Sequence, residues 1–319
     1  VSNNGRLIYL AGQDGINLSR RYVLRDLAGN QSDLNVPNLR WGRLRLSPDG
    51  TKVLLVGGDQ VSASDIYIFH RESQVLVRRT YSGVDTAIWS PDSNSVIYAE
   101  NTGEGTQLMR MTVSGLDRPE LIFSSTSRLE PFDISDDGSI VMLTAGLAGS
   151  EDIYALRLTV ETSELIPLVT SPQNDTNVNL SPDGNWIAYN RGGSILIHPF
   201  PDVSESNRRE LVSQNTEEPR WGPDSRTLYF HESGELKRVR LNTENGLTWS
   251  QPETVVSDLE IQGRAFVYDM TADGQTFLLP LASDEEDENE NLMPQIAIIE
   301  MVDNWFAELE ELARPSSDY

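Results

Sequence analysis

The chain has 319 residues, with 49 acidic against 25 basic side chains, a formal charge of −24 and no cysteine. That charge repels phosphate backbones and anionic membrane surfaces, which sets aside nucleic acid and lipid headgroups as partners. Without cysteine there are no disulfides, thiol nucleophiles or Cys-ligated zinc sites, and no apolar run approaches the length of a membrane span.

Hydrophobic content of 38%, with six Trp and ten Tyr, marks a chain that folds. Lys52 and Lys237 are its only lysines. An acidic, lysine-poor surface suits a protein kept soluble at high salt. No basic-then-apolar leader opens the chain. It begins mid-pattern at Val1, as expected of a processed product or an excised domain.

In chain order, one short string recurs: VSNNG (1–5), LSPDG (46–50), WSPDS (89–93), ISDDG (134–138), LSPDG (180–184), WGPDS (221–225) and MTADG (270–274). Its Asp position falls at Asn4, Asp49, Asp92, Asp137, Asp183, Asp224 and Asp273, at spacings of 45, 43, 45, 46, 41 and 49 residues. Pro pre-sets φ, Asp bonds nearby amides, and Gly or Ser closes the turn, so each string predicts a tight turn between two strands. A short apolar stretch follows each turn, from RLIYLAG at 6–12 through KVLLVGG at 52–58 to QTFLLPL at 275–281. A second comes within about ten residues, such as RRYVLRD, DIYIFHR and QIAIIEM, and a third, weaker one often follows. Several are apolar on both faces, as expected of sheets covered on both sides. With the strand that leads into each turn, every unit holds four strands. Four-stranded units repeated every 40–50 residues predict an all-β propeller of antiparallel blades over 1–303. The copies favour seven blades, or six with an extra terminal hairpin. The stretch NWFAELEELA (304–313) predicts a short C-terminal helix, with 304–319 as helix and tail.

The SPDG turns resemble those of TolB-type, WD-repeat-like propellers. The stretches SPDGNWIAYNR…ILIHPFP (181–201), EEPRWGPDSRTLYF (217–230), YDMTADGQTFLL (268–279) and IAIIEMVDNWFAEL (296–309) are similar to the C-terminal propeller regions of bacterial Ser/Thr kinase or winged-helix sensor proteins. The pair Asn304–Trp305 before a helix matches the same group. The resemblance spans nearly the whole chain. It implies a non-catalytic propeller in a signalling or envelope protein, placed outside the cytoplasmic membrane. The chain holds no kinase motif. It departs from the group in its charge and in the acidic insertion at 284–290.

Catalytic candidates are few. His70, His198 and His231 occupy unlike blade positions, unlike the ring of channel histidines in metal-dependent propeller lyases, and are expected to be structural. No Gly-x-Ser-x-Gly elbow is present. GGS (192–194) predicts a two-residue hairpin turn, and GEG (103–105) another turn. One Asp in nearly every blade, always in the same turn, predicts a structural cap and not an acid–base pair. The run DEEDENE (284–290) lacks EF-hand spacing and predicts a solvated hairpin tip and not a calcium loop. Sequons at Asn17, Asn30 and Asn174 occur at about the chance rate.

The expectation is therefore a monomeric recognition module that needs no metal or other cofactor. It would bind a protein, peptide or small ligand at one face of the channel. The alternatives are a propeller hydrolase or lyase with its site at the channel mouth, and a scaffold that docks a protein on an edge or face.

Overall fold

A computed structural model describes residues 7–11, 20–36, 40–58, 64–81, 83–115, 117–147, 149–159, 163–212, 216–244, 246–257, 259, 268–282 and 298–302. Three strands come first: β1 (Leu7–Ala11), β2 (Arg20–Asp26) and β3 (Gln31–Asp33). Blade I is β4 (Arg40–Leu46), β5 (Lys52–Gly58), β6 (Asp65–His70) and β7 (Val75–Arg78). Blade II is β8 (Val84–Trp89), β9 (Ser95–Asn101), β10 (Thr106–Thr112) and β11 (Glu120–Ser125). Blade III is β12 (Arg128–Ile134), β13 (Ile140–Leu147), β14 (Ser150–Leu158) and β15 (Ser163–Val169). Blade IV is β16 (Asp175–Leu180), β17 (Trp186–Arg191), β18 (Ser194–Pro199) and β19 (Arg209–Val212). Blade V is β20 (Thr216–Trp221), β21 (Thr227–Glu232) and β22 (Glu235–Asn242), with β23 (Thr248–Trp249) and β24 (Glu253–Val256) both on the outer side of β22. The last strands are β25 (Asp269–Met270), β26 (Thr276–Ala282) and β27 (Ile298–Val302).

The propeller has six blades, not seven. Blade VI is shared between the chain ends, in the order β25-β26-β2-β3. Antiparallel pairing of β2 with β26 runs from Arg20↔Ala282 to Asp26↔Thr276 and closes the ring. The first and last turn copies each supply half a blade. Their leftover strands, β1 and β27, pair with each other, and β27 also lies parallel to β7 on the outside of blade I. Counting turns therefore overcounts blades by one. The helix expected at 304–313 and the acidic run 284–290 lie outside the described residues. Among the described residues there is no α-helix, and the one helical turn is the 3-10 turn Glu205–Asn207.

The apolar core is divided among the seams between blades. Six buried clusters fall one to each seam. Period-two alternation explains this division. In β5, Val53 and Leu55 face blade VI while Leu54 and Val56 face blade II, which is why KVLLVGG is apolar throughout. Blades V and VI meet through Tyr229, Leu236, Val23, Phe277 and Leu279, with the rings of Tyr229 and Phe277 at 5.3 Å.

Each turn aspartate caps its own turn. Asp49, Asp92, Asp137, Asp183, Asp224 and Asp273 all accept the N–H two residues on, at 2.9–3.1 Å. Four turns close on a left-handed glycine, and Ser93 (φ 59°) and Ser225 (φ 54°) replace it in the other two. Left-handed serine is costly, and its hydroxyl supplies the compensation. Ser93 accepts the N–H of Asp49, and Ser225 that of Asp183, both at 3.0 Å across a seam.

Phe277→Ala should cost about 3–5 kcal/mol in urea unfolding, because it leaves a cavity in the seam that closes the ring. Leu147→Ala, at a side chain 82% exposed, should stay within about 0.5 kcal/mol of the parent.

Candidate functional site

A four-stranded antiparallel blade sends its connections to two opposite faces. The Pro-Asp turns join first to second strands at one face. The hairpins between second and third strands, and the links into each next blade, reach the other. The channel opens on both, and the innermost strands β4, β8, β12, β16, β20 and β25 line it. A bulge interrupts five of these strands, β4, β8, β12, β16 and β20. Bulges re-aim side chains.

The mouth opposite the Pro-Asp turns, called here the wide mouth, holds a cavity of about 490 Å³ whose walls come from blades I, III, IV and V. Glu130 of β12 is shared by two guanidiniums. Its Oε2 lies 2.9 Å from Nη2 of Arg43, and its Oε1 lies 2.6 Å from Nη2 of Arg128. Arg128 also faces Asp85 at 3.3 Å and Glu151 at 4.0 Å. Arg43 donates to the Thr86 hydroxyl and lies 5.1 Å over the Phe132 ring. Burial lowers the Arg43 pKa, and Glu130 works against that shift.

The far wall is built on amides. Asn190 donates to the Thr216 carbonyl at 2.8 Å, and its Oδ1 accepts the Glu218 N–H at 2.9 Å. Asn177 donates to the same Oδ1 at 3.2 Å. Asn177 (φ 54°) and Glu218 (φ 56°) both hold left-handed backbone at the bulges. Asn tolerates that conformation; Glu rarely adopts it, and such strain gathers where a side chain must be aimed. Glu217 is exposed in this wall and has no ion pair among the described residues.

At the Pro-Asp mouth, one residue per blade forms a ring: Arg45, Ile88, Asp133, Asn179, Arg220 and Asp269, each two places before the residue that opens the turn. The ring stitches neighbouring blades together, and its pattern repeats every three blades. Asp269 accepts the Leu46 N–H at 2.7 Å, as Asp133 accepts that of Leu180 at 2.8 Å. Trp89 donates its indole N–H to the Arg45 carbonyl at 3.0 Å, as Trp221 does to that of Asn179 at 3.2 Å. Arg220 lies 3.5 Å from Asp269. The ring borders an opening of about 430 Å³. Burial raises the Asp133 carboxyl to about 7, against the N–H bonds from Leu180 and Ile134, and Asp136 and Asp269 push it further up. Asp269 is also raised by burial, which Arg220 opposes.

The structure brings none of the three histidines together. His198 is fully buried in β18, with Nε2 3.1 Å from the Tyr189 hydroxyl and the two rings stacked at 5.7 Å. His231 accepts the Gly234 N–H at 2.9 Å, and burial lowers its pKa to about 4. His70 is half-buried at the end of β6, its pKa lowered by burial and by Lys52 and Arg79. Gly192 and Gly193 form the predicted hairpin turn between β17 and β18, at φ 58° and 82°. Gly103 and Gly105 likewise sit in the turn between β9 and β10. The turn aspartates act as caps. In Asp137 the Ser135 and Ser139 hydroxyls and the Ser139 N–H hold the carboxyl down to about 2. Among the described residues no three His, Cys, Asp or Glu side chains are grouped to hold a metal. Sequence reasoning did not find Arg43, Arg128, Glu130, Glu217 or Glu218. The signal that could have found them is divergence: they sit where the inner strands differ between blades while the adjoining turns repeat.

No family model matches the chain. A stretch of 148 residues is 24% identical to Uncharacterized peptidase YuxL of Bacillus subtilis (strain 168), which covers 46% of this chain and 21% of that protein. Among solved structures, a protein assigned as TolB from Agrobacterium tumefaciens superposes with a TM-score of 0.65 at 16% identity, over 83% of this chain and 99% of that one. TolB from Acinetobacter baumannii gives 0.53 at 15%, over 88% and 65%. The periplasmic gluconolactonase PpgL of Pseudomonas aeruginosa gives 0.53 at 12%, over 83% and 97%. At such identities these likenesses show a TolB-like propeller fold and nothing finer. The fold serves proteins with and without enzyme names, so it does not decide between recognition and catalysis.

Asp133 has a pH signature. Its folded pKa of about 7 lies above the unfolded value of about 4, so the native state keeps a proton that the unfolded chain has lost. Its contribution to stability is complete below about pH 4 and is lost as pH rises towards 7. Asp133→Asn should therefore gain on the parent between those values and run parallel to it above. Urea unfolding at several pH values measures this, and identical slopes would contradict it.

Proposed function

We propose that this chain is a recognition propeller that takes a segment of a partner protein at the wide mouth of its channel. The cavity of about 490 Å³ carries this reading. Charged and amide side chains from four blades converge there on ordered hydrogen bonds, in walls that rigid seams hold in place. The groups at this mouth are suited to ion pairing and hydrogen bonding. Among the described residues that line the cavity there is no serine or histidine to pair as nucleophile and base. The exposed Leu147 and Tyr81 stand at connections on the same face and add apolar contact beyond the cavity.

The protein would act outside the cytoplasmic membrane, as the recognition part of a bacterial envelope or signalling protein. The likeness to TolB structures and to a periplasmic propeller supports that placement. Among the described residues no helix is long and apolar enough to cross a membrane.

Thermal melts against short peptides, sugars, cell-wall fragments and metal ions test the reading. A ligand at a hundred times its dissociation constant adds roughly 2.7 kcal/mol of stability. A peptide should raise the melting temperature of the parent and not of Thr176→Trp, in which the indole obstructs the cavity. A shift of equal size in both proteins would place binding elsewhere and defeat the proposal.

A further inference from the structure

We infer that the wide mouth selects a basic peptide segment and seats a lysine or arginine side chain in its cavity; this rests on the recognition reading above. Charge balance is the first observation. The wall carries Arg43 and Arg128 against Glu130, Glu151, Glu217 and Glu218, which gives 2 − 4 = −2. Both guanidiniums are already engaged. Arg128 faces three carboxylates, and Arg43 meets Glu130 and the Phe132 ring. An anionic ligand would have to break these pairs. A cation meets Glu217, which is exposed and has no ion pair among the described residues; the neighbouring Glu218 is buried and its charge already acts on Arg43. Low-dielectric walls focus the field of an acidic protein into such a cleft and concentrate cations there.

The rim supplies the second observation, and it favours a peptide over a free amine. Gly149 and Gly192 border the cavity, and a Cβ on either would meet nothing within 4 Å. Among the described residues, these two positions leave room for an extended main chain to pass. Leu147 stands two residues before Gly149, 82% exposed, where an apolar side chain flanking the seated cation can pack.

Fluorescence anisotropy with labelled Gly-Gly-Lys-Gly-Gly, and with its Ala- and Glu-centred counterparts, tests the inference on the intact chain. The lysine peptide should bind most tightly, and its affinity should fall as salt rises from about 50 to about 300 mM. Glu217→Gln, an exposed change expected to leave the melt intact, should weaken it on the order of tenfold. Equal or tighter binding of the Ala or Glu peptide, still lost in Thr176→Trp, would overturn the charge preference and leave the wide mouth as the binding site. Lysine-peptide binding that survives Thr176→Trp would overturn both readings, and no binding of the lysine peptide would overturn this one. Competition by spermidine at the same affinity would overturn the peptide requirement.

Discussion

Everything in this fold depends on the pairing of β2 with β26. A propeller is a ring, and its blades are held by neighbours on both sides. If the ring opens, two seams lose a partner and the channel loses a wall. Here one antiparallel ladder, seven residue pairs long, joins the two ends of the chain. The core sits between blades, so closure completes the last two seams, around Trp41 and Leu278 on one side and Tyr229 and Phe277 on the other. Placement of Arg43 against Glu130, which come from blades I and III, depends on the same closure.

Much of the architecture was legible in the amino-acid sequence because it is periodic. Turns such as Ser47-Pro48-Asp49-Gly50 carry their own instructions in φ preference and side-chain capping. Doubly apolar strands such as β5 declare that both faces are covered. The blade count was less legible, for a physical reason. Turns are local and can be counted, whereas closure is a contact between residues more than 240 positions apart. No local signal distinguishes LIYLA, which becomes an outer strand, from KVLLVGG, which becomes the second strand of a blade. Similarly, WSPDS and WGPDS read as imperfect copies of the turn. In the folded chain the serines at 93 and 225 bond across seams, at positions where glycine could not.

The candidate site was nearly illegible, and this follows from the same logic. A repeat reveals what every blade shares, and what every blade shares holds the ring together. The aspartates in the turns are of this kind, and the structure uses each one as a cap. Arg43, Thr86, Asn177 and Glu218 occupy similar places on inner strands with different chemistry, and their convergence depends on bulges that the sequence does not announce. The two mouths divide along this line. At the Pro-Asp mouth the ring aspartates Asp133 and Asp269, and the indoles of Trp89 and Trp221 beside the ring, are spent on blade-to-blade bonds. At the wide mouth the same strands present groups with capacity left over, Glu217 among them.

Native-state hydrogen exchange under rising urea tests closure most directly. If the ring is closed by β2 and β26, the amides of Tyr22–Leu24 and of Phe277–Leu279 will open together, at the free energy of global unfolding. Free exchange of β2 while β26 stays protected would mean that the N-terminal strand is not part of blade VI, and the six-bladed closure described here would be wrong.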